Sequence, residues 1–255
     1  MRTIIRLDVK KDYSYELKYH HKLQGFIYQL LKETPYKKLH DLKTYKFFCF
    51  SNIMPPIDSK SGEKRTLIIS SPDVHFIDLI KQILENFKEN KKEINIGEML
   101  FTIENIKIKK IGKIKNCHLI TGTPITLRIP RENYKKYGIN SKYNYVFWRS
   151  KLPFEAFVKQ LEDNLIKKYA SFYKLKKSEI NKIESETLPL FQQFIFKKEV
   201  CNHIIMKGKE VKIIGSLWEF IFQNLNEKQQ ELLRFSIDAG FGERNSLGFG
   251  FMNLK

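Results

Sequence analysis

Six histidines are the side chains of this 255-residue chain best suited to carry a proton near neutral pH. His40 stands out among them. It lies in Pro35-Tyr-Lys-Lys-Leu-His-Asp41, and Lys37, Lys38, Lys43 and Lys46 surround it in sequence, a setting that suits an imidazole to accept a proton. The bland alternative is a solvated loop histidine. His20-His21 is the second candidate pair, while His75 falls near a helix start where a structural part is expected. Cys117-His118 and Cys201-Asn-His203 bring metal-binding residue types together. Neither belongs to a paired Cys-x-x-Cys or His-x-x-x-His arrangement, so no metal and no cofactor are expected.

Glycine supplies a second concentration of unusual residues. Four of the 12 glycines, Gly240, Gly242, Gly248 and Gly250, fall within Gly240-Phe-Gly-Glu-Arg-Asn-Ser-Leu-Gly-Phe-Gly250. Residues without Cβ permit positive φ and let backbone N–H groups approach a phosphate or another backbone closely. A tight helix-to-strand turn with a helix cap at Gly240 explains the same cluster without a ligand. The run satisfies neither familiar nucleotide-binding motif: the third glycine is misplaced, no Gly-Lys-Ser/Thr follows, and too little chain remains for a phosphate-binding helix.

The elements that must position these residues can be read from periodicity. Thr3–Val9 is strand-like, Leu23, Phe26, Ile27, Leu30 and Leu31 mark a helix over about 20–33, and Lys46–Ser51 and Arg65–Ser70 are further strands. Ser71-Pro-Asp73 opens a helix striped by Ile77, Ile80, Leu84 and Phe87, and Glu98–Ile111 returns to strand. The order β-α-β-β-α-β is that of a ferredoxin-like unit. The second half repeats the theme less regularly, with strands at His118–Thr121, Ile125–Ile129 and Tyr143–Arg149 and a helix over Pro153–Tyr173. Leu188–Phe196 and Val200–Lys207 then form a long hairpin, Val211–Phe222 another strand, Glu227–Ala239 a helix and Phe249–Leu254 a closing strand. The fold class is therefore α+β: two tandem ferredoxin-like (RRM-like) domains, 1–114 and 115–255, with a central basic cleft.

Charge indicates the partner. Lys and Arg number 46 against 28 Asp and Glu, a formal +18, and dividing the chain at residue 120 leaves 23 basic and 14 acidic residues on each side. An excess spread this evenly describes a broad basic surface facing a polyanion, not a basic tail on a neutral body. In the second half, Arg131, Lys135, Lys136, Arg149 and Lys151 lie among Tyr134, Tyr137, Tyr143 and Tyr145, whose rings could stack on unpaired bases. Lys197, Lys198, Lys207 and Lys209 on the hairpin and Arg244 in the glycine-rich loop add phosphate-binding candidates. Three scattered cysteines make no disulfide framework, and neither a signal peptide nor a membrane span is expected, so the expected location is cytoplasmic.

The glycine-rich run between a last helix and a last strand resembles the signature of the CRISPR repeat-processing endoribonucleases (CRISPR-associated protein 6) of the repeat-associated RNA-binding superfamily. The Arg6-Leu7 strand and the Leu23-Gln-Gly-Phe-Ile-Tyr28 helix are similar to archaeal members. The resemblance implies CRISPR repeat RNA as the substrate and metal-independent cleavage by the ribose 2′-hydroxyl, leaving a 2′,3′-cyclic phosphate and a 5′-hydroxyl. It also implies catalytic roles for Tyr28, His40 and Lys46, with Lys43, Tyr45, His20 and His21 as substitutes. Gly240, Gly242, Arg244, Gly248 and Gly250 become RNA-binding candidates. Other CRISPR effector subunits and a homodimer are further partners left open, and a non-catalytic repeat-binding subunit is the rival reading.

Overall fold

A computed structural model of the chain describes residues 1–15, 19–206 and 209–255, without the side chains of residues 205, 206 and 209. The chain divides into two compact units, one of Met1–Ile111 with Ser246–Gly248 and one of Gly112–Asn245 with Phe249–Lys255.

The first unit begins with β1 (Arg2–Val9), whose Thr3, Ile5, Leu7 and Val9 are buried on one face while Arg6 points to solvent. This alternation follows from the two-residue period of a strand. β1 pairs with β3 (Lys64–Ser70) on one side and β5 (Met99–Lys109) on the other, and β2 (Cys49–Phe50) and β4 (Ile94–Ile96) complete the order β2-β3-β1-β5-β4. Two helices cover the inner face. α1 (His20–Leu30) buries Leu23, Phe26, Ile27 and Leu30, and α2 (Val74–Glu89) buries Phe76, Ile77, Ile80 and Leu84. Asp73 caps α2 by accepting the Phe76 N–H at 3.2 Å. Without the β4 edge, this is the ferredoxin-like arrangement in which the first strand sits between the third and the last.

The second unit repeats it. β6 (Cys117–Thr121), α3 (Phe154–Tyr173), β9 (Gln193–Met206), β10 (Lys209–Phe222), α5 (Glu227–Ala239) and β11 (Met252–Leu254) give β-α-β-β-α-β, with antiparallel sheet order β11-β6-β10-β9. Asn226 and Gln229 close a capping box at the start of α5. A separate ribbon of β7 (Arg128–Pro130) and β8 (Tyr145–Phe147) lies between β6 and α3 in sequence.

Several expected elements differ. Leu188–Phe196 and Val200–Lys207 are not two strands of a hairpin: Gln193–Met206 is one strand, paired along its length with β10. The charged run Lys197-Lys198-Glu199 reads as a turn, but its charges have partners, Lys197 on Glu219 and Glu199 on Ser150, and the ladder shifts register between Leu217 and Trp218 to admit the extra residue. The expected strand at Lys46–Ser51 shrinks to Cys49–Phe50 because Phe47 has φ 50, which an extended chain cannot include. Ile125–Ile129 and Tyr143–Arg149 shorten to the β7–β8 ribbon. A helix α4 (Lys177–Thr187) went unpredicted, since it buries only Thr187 and carries almost no apolar stripe. No helix among the described residues is long and apolar enough to cross a membrane.

Candidate active site

In the first unit, the end of α1 and the segment after it fold back on each other. Thr34 Oγ1 donates to the Leu31 carbonyl at 2.8 Å and accepts the Tyr36 N–H at 3.1 Å, and Pro35 opens a short 3-10 helix, Pro35–His40. This reversal returns His40 to the side of Tyr28. The two rings meet edge to face with centroids 5.1 Å apart, and the Tyr28 ring also stands nearly perpendicular to that of fully buried Phe48, 6.2 Å away.

Lys46 ties the pair together. Its Nζ donates to the Tyr28 hydroxyl at 2.7 Å and to the His40 carbonyl at 2.9 Å. Of its three N–H groups one is left beyond these two bonds. The His40 side chain is 69% exposed, and its Nδ1 lies 2.7 Å from Asp41 Oδ1. With the proton on Nδ1 donated to that carboxylate, the Nε2 lone pair faces outward. Tyr28, whose oxygen accepts from Lys46, keeps its own O–H to donate. One acid–base group, one hydroxyl donor and one ammonium thus share one spot.

The substitutes fare differently. Lys43 is exposed, and the Tyr45 ring packs 6.0 Å from that of Phe47. His20 is buried, stacked on Tyr19 at 5.3 Å, and faces the space where a Cβ at Gly248 would be. Burial, reinforced by the neighbouring charge of His21, pushes the His20 imidazole down to about 4 against a hydrogen bond with the Leu247 backbone. His20 is a core residue here, remote from the exposure a proton carrier for a large substrate needs. His21 is half-buried.

The glycine-rich segment owes its glycines to its own packing. Gly240, Gly242, Gly248 and Gly250 are all buried and all have positive φ. A Cβ on Gly250 would lie 1.9 Å from the Phe241 carbonyl oxygen, and one on Gly242 would lie 2.6 Å from that of Thr126. Backbone N–H groups of the segment are spent on protein carbonyls, Phe241 N–H on Gly250 O at 2.9 Å, Glu243 N–H on Thr126 O at 2.8 Å and Gly250 N–H on Pro124 O at 2.8 Å. Three residues, Ser246–Gly248, pack with the first unit, where the Ser246 carbonyl accepts from Gln24 at 2.8 Å. The middle of the segment, including Arg244, is half-buried, whereas the four glycines are buried.

Lys168 is a residue that sequence reasoning missed. Its side chain is 1% exposed on α3, and its ammonium donates to the carbonyls of Gly240 and Gly242 and to Asn245 Oδ1, the last two at 2.9 and 3.0 Å. Asn245 Nδ2 in turn donates to Phe241 O and Phe249 O, each at 3.0 Å. A signal existed: Leu161, Leu165 and Lys168 follow helical spacing, so a lysine stands in an apolar stripe.

Among the expected RNA-binding cations, Arg131, Arg149 and Lys151 are exposed in the second unit. Lys198 is exposed too, but Lys197 is committed to Glu219 at 2.7 Å. That contact, with His118 at 2.5 Å and Lys255 behind it, holds the Glu219 carboxyl far below the usual range, at about 2. Lys207 lies outside the described residues, as does the side chain of Lys209.

Known proteins match this architecture along its whole length. Residues 106–254 match the family model described as CRISPR associated protein Cas6, C-terminal. A protein of Methanocaldococcus jannaschii named CRISPR-associated endoribonuclease Cas6 2 is 33% identical over 265 residues, covering 99% of each chain. The CRISPR-associated endoribonuclease Cas6 of Pyrococcus furiosus is 26% identical over 271 residues, covering all of this chain and 90% of its own. A solved structure titled CRISPR associated protein Cas6 superposes with TM-score 0.69 at 23% identity, over 100% of this chain and 99% of the other, which speaks for the shared fold. With a family model over more than half its residues and a relative this similar end to end, the chain belongs to the Cas6 family of CRISPR-associated endoribonucleases.

Proposed function

We propose that this endoribonuclease cuts CRISPR repeat RNA to release guide RNAs, with the first unit carrying the cutting residues and the second supplying much of the RNA grip. The single observation that carries the reading is the contact of Tyr28, His40 and Lys46, which places three complementary groups together on an exposed surface of one unit.

The chemistry follows from what these groups can do. The 2′-hydroxyl beside the target phosphate attacks phosphorus, the P–O5′ bond breaks, and a 2′,3′-cyclic phosphate and a 5′-hydroxyl result. His40 Nε2 takes the proton of the attacking hydroxyl while solvent water protonates the departing O5′, or in protonated form delivers a proton to O5′ while water accepts the one from the hydroxyl. The remaining N–H of Lys46 and the O–H of Tyr28 donate to the non-bridging oxygens, where negative charge grows in the transition state. Asp41 holds the imidazole in the tautomer that presents Nε2. With solvent water handling the second proton, these groups suffice for the reaction without calling on a metal ion.

The test is cleavage of a labelled repeat RNA in excess EDTA by the wild type and by His40→Ala. The reading expects EDTA-resistant cutting, no cutting of a strand with a single 2′-deoxy substitution at the cut, and a loss of about 10²–10⁴-fold in His40→Ala with repeat binding kept. Full activity in His40→Ala would remove this residue from the mechanism.

A further inference from the structure

The second unit holds a feature that the cutting site does not use. The four tyrosines around the β7–β8 ribbon separate into two kinds. Tyr134 and Tyr137 are buried, whereas Tyr143 is 64% and Tyr145 38% exposed. Both exposed rings line a cavity of about 880 Å³, together with Phe147, Arg149, Lys151 and Lys212. This falls in the range of roughly 300–1,000 Å³ common for sites that take a small organic group.

The walls are fixed. Arg128 lays its guanidinium 5.0 Å from the centre of the Tyr145 ring, and Glu243 of the glycine-rich segment holds that arginine through both its Nε and its backbone N–H, the latter at 3.1 Å. Phe147 meets the Tyr145 ring edge to face at 5.6 Å. The Tyr143 carbonyl accepts from Tyr134 at 3.1 Å, which ties the exposed ring's backbone to a buried one. On the far wall, Ser150 donates its N–H and hydroxyl to Glu199, which holds the Arg149–Lys151 stretch in place. Glu199 is also the acidic group that feels these two cations, and its carboxyl is lowered by Ser150 first and by them after.

The occupant can be read from this combination. Exposed flat rings offer stacking to any π-face, three exposed cations at the rim offer charge to an anion, and the ribbon is too open for an enclosed metabolite. We propose that this cavity is a stacking subsite for one or two unpaired nucleotides of the RNA, with the base on Tyr143 or Tyr145 and the phosphate toward Arg149, Lys151 and Lys212. The subsite selects single strand over duplex, because a paired base has no free face to give. It rests on the RNA-processing reading above, and adds to it a specificity for unpaired RNA in the second unit.

The probes are short oligouridine and oligoadenosine strands and a blunt RNA duplex of the same length, titrated by fluorescence anisotropy against the full chain. Tyr143→Ala combined with Tyr145→Ala is expected to weaken single-strand binding by about ten-fold or more and duplex binding hardly at all. Tyr143→Trp with Tyr145→Phe retains single-strand binding, a rescue that a merely structural tyrosine would not show. Lys212→Ala, on a different element, weakens the single strand and lowers its salt slope by roughly 0.7. A double alanine variant that melts like the wild type and binds the single strands within about two-fold of it overturns the subsite, as does an equal loss for strand and duplex. Cleavage of repeat RNA by the wild type is scored separately: its absence defeats the functional reading, whereas normal cleavage with unchanged strand binding defeats the subsite alone.

Discussion

Tyr28 divides its work between ring and hydroxyl, and a substitution can separate the two. The ring packs against both Phe48 and His40, so Tyr28→Phe keeps the packing and removes only the O–H and the acceptor for Lys46. The expected outcome is unchanged melting and unchanged repeat binding with single-turnover cleavage slower by about 10²–10³-fold, in line with the loss of one charge-directed donor. Lys46→Ala should be more severe, because it removes the ammonium and also releases both Tyr28 and the His40 carbonyl; Lys46→Arg should restore only part of the rate, since a guanidinium does not reproduce a point ammonium. His20 makes a different residue-scale prediction, about stability. Folded, its imidazole titrates near 4 instead of the ordinary 6.5, so between those values the unfolded chain binds a proton that the folded one does not. Stability is therefore intact above about pH 6.5 and falls as the pH drops toward 4, by up to about 3 kcal/mol from this group. Denaturant melts of His20→Gln against the wild type at both ends of that window should show a flatter pH profile in the variant. As for the proposed cutting site, His40 could be singled out from the lysines around it, whereas Tyr28 and Lys46 came only from the family resemblance. Lys46 and Tyr28 are 18 positions apart, and only the chain reversal at Thr34-Pro35 joins them, a tertiary fact that no local spacing encodes.

At the scale of elements, the glycine-rich segment behaves as a folded part with its own tolerances. Gly250 combines φ 71 with a carbonyl oxygen 1.9 Å from where a Cβ would go, while Gly138 has φ 62 with open space around it. Gly138→Ala should therefore cost only the left-handed backbone penalty of about 1–2 kcal/mol. Gly250→Ala must in addition move the backbone that carries Phe241, and should cost clearly more, read as a larger fall in melting temperature under identical conditions. Lys168 belongs to the same part. Lys168→Met leaves the Gly240 and Gly242 carbonyls without their donor in a buried setting, a loss of about 3 kcal/mol in chemical denaturation. Helices with a strong apolar stripe, such as α2, were legible from sequence because local pattern and tertiary burial agree there. α4 and the continuous β9 were not. The first has too few apolar positions to show a period, and the second carries a charged run in which Lys197 and Glu199 find partners, Glu219 and Ser150, that are remote in sequence.

For the whole molecule the question is what the charge is for. Ion pairs inside the fold consume part of it: Lys64 faces Asp8 and Glu104, Lys159 faces Asp163, and Lys197 and Lys255 share Glu219. Yet 28 acidic residues cannot neutralise 46 basic ones, so a surplus of +18 remains however the pairs are drawn, and apart from buried cations such as Lys168 it lies on the surface. Two explanations compete. A lysine-rich solvated surface would have no particular use for the surplus, whereas an RNA-gripping one would spend it on phosphates and release counterions in doing so. Salt separates them, because each phosphate neutralised on a single strand contributes about 0.7 to the slope of log affinity against log salt. An even excess of nine on either side of residue 120 leads us to expect at least about six such contacts, a slope near 4, and a loss of over a hundred-fold in repeat affinity between 50 and 200 mM salt. The rate of cutting once RNA is saturating should change little over the same range, since the groups proposed to act on the scissile phosphate are held by contacts of 2.7–2.9 Å at Lys46 rather than by long-range field. A slope below about 2 would assign most of the surplus to solvation and leave the RNA held by stacking and hydrogen bonds instead.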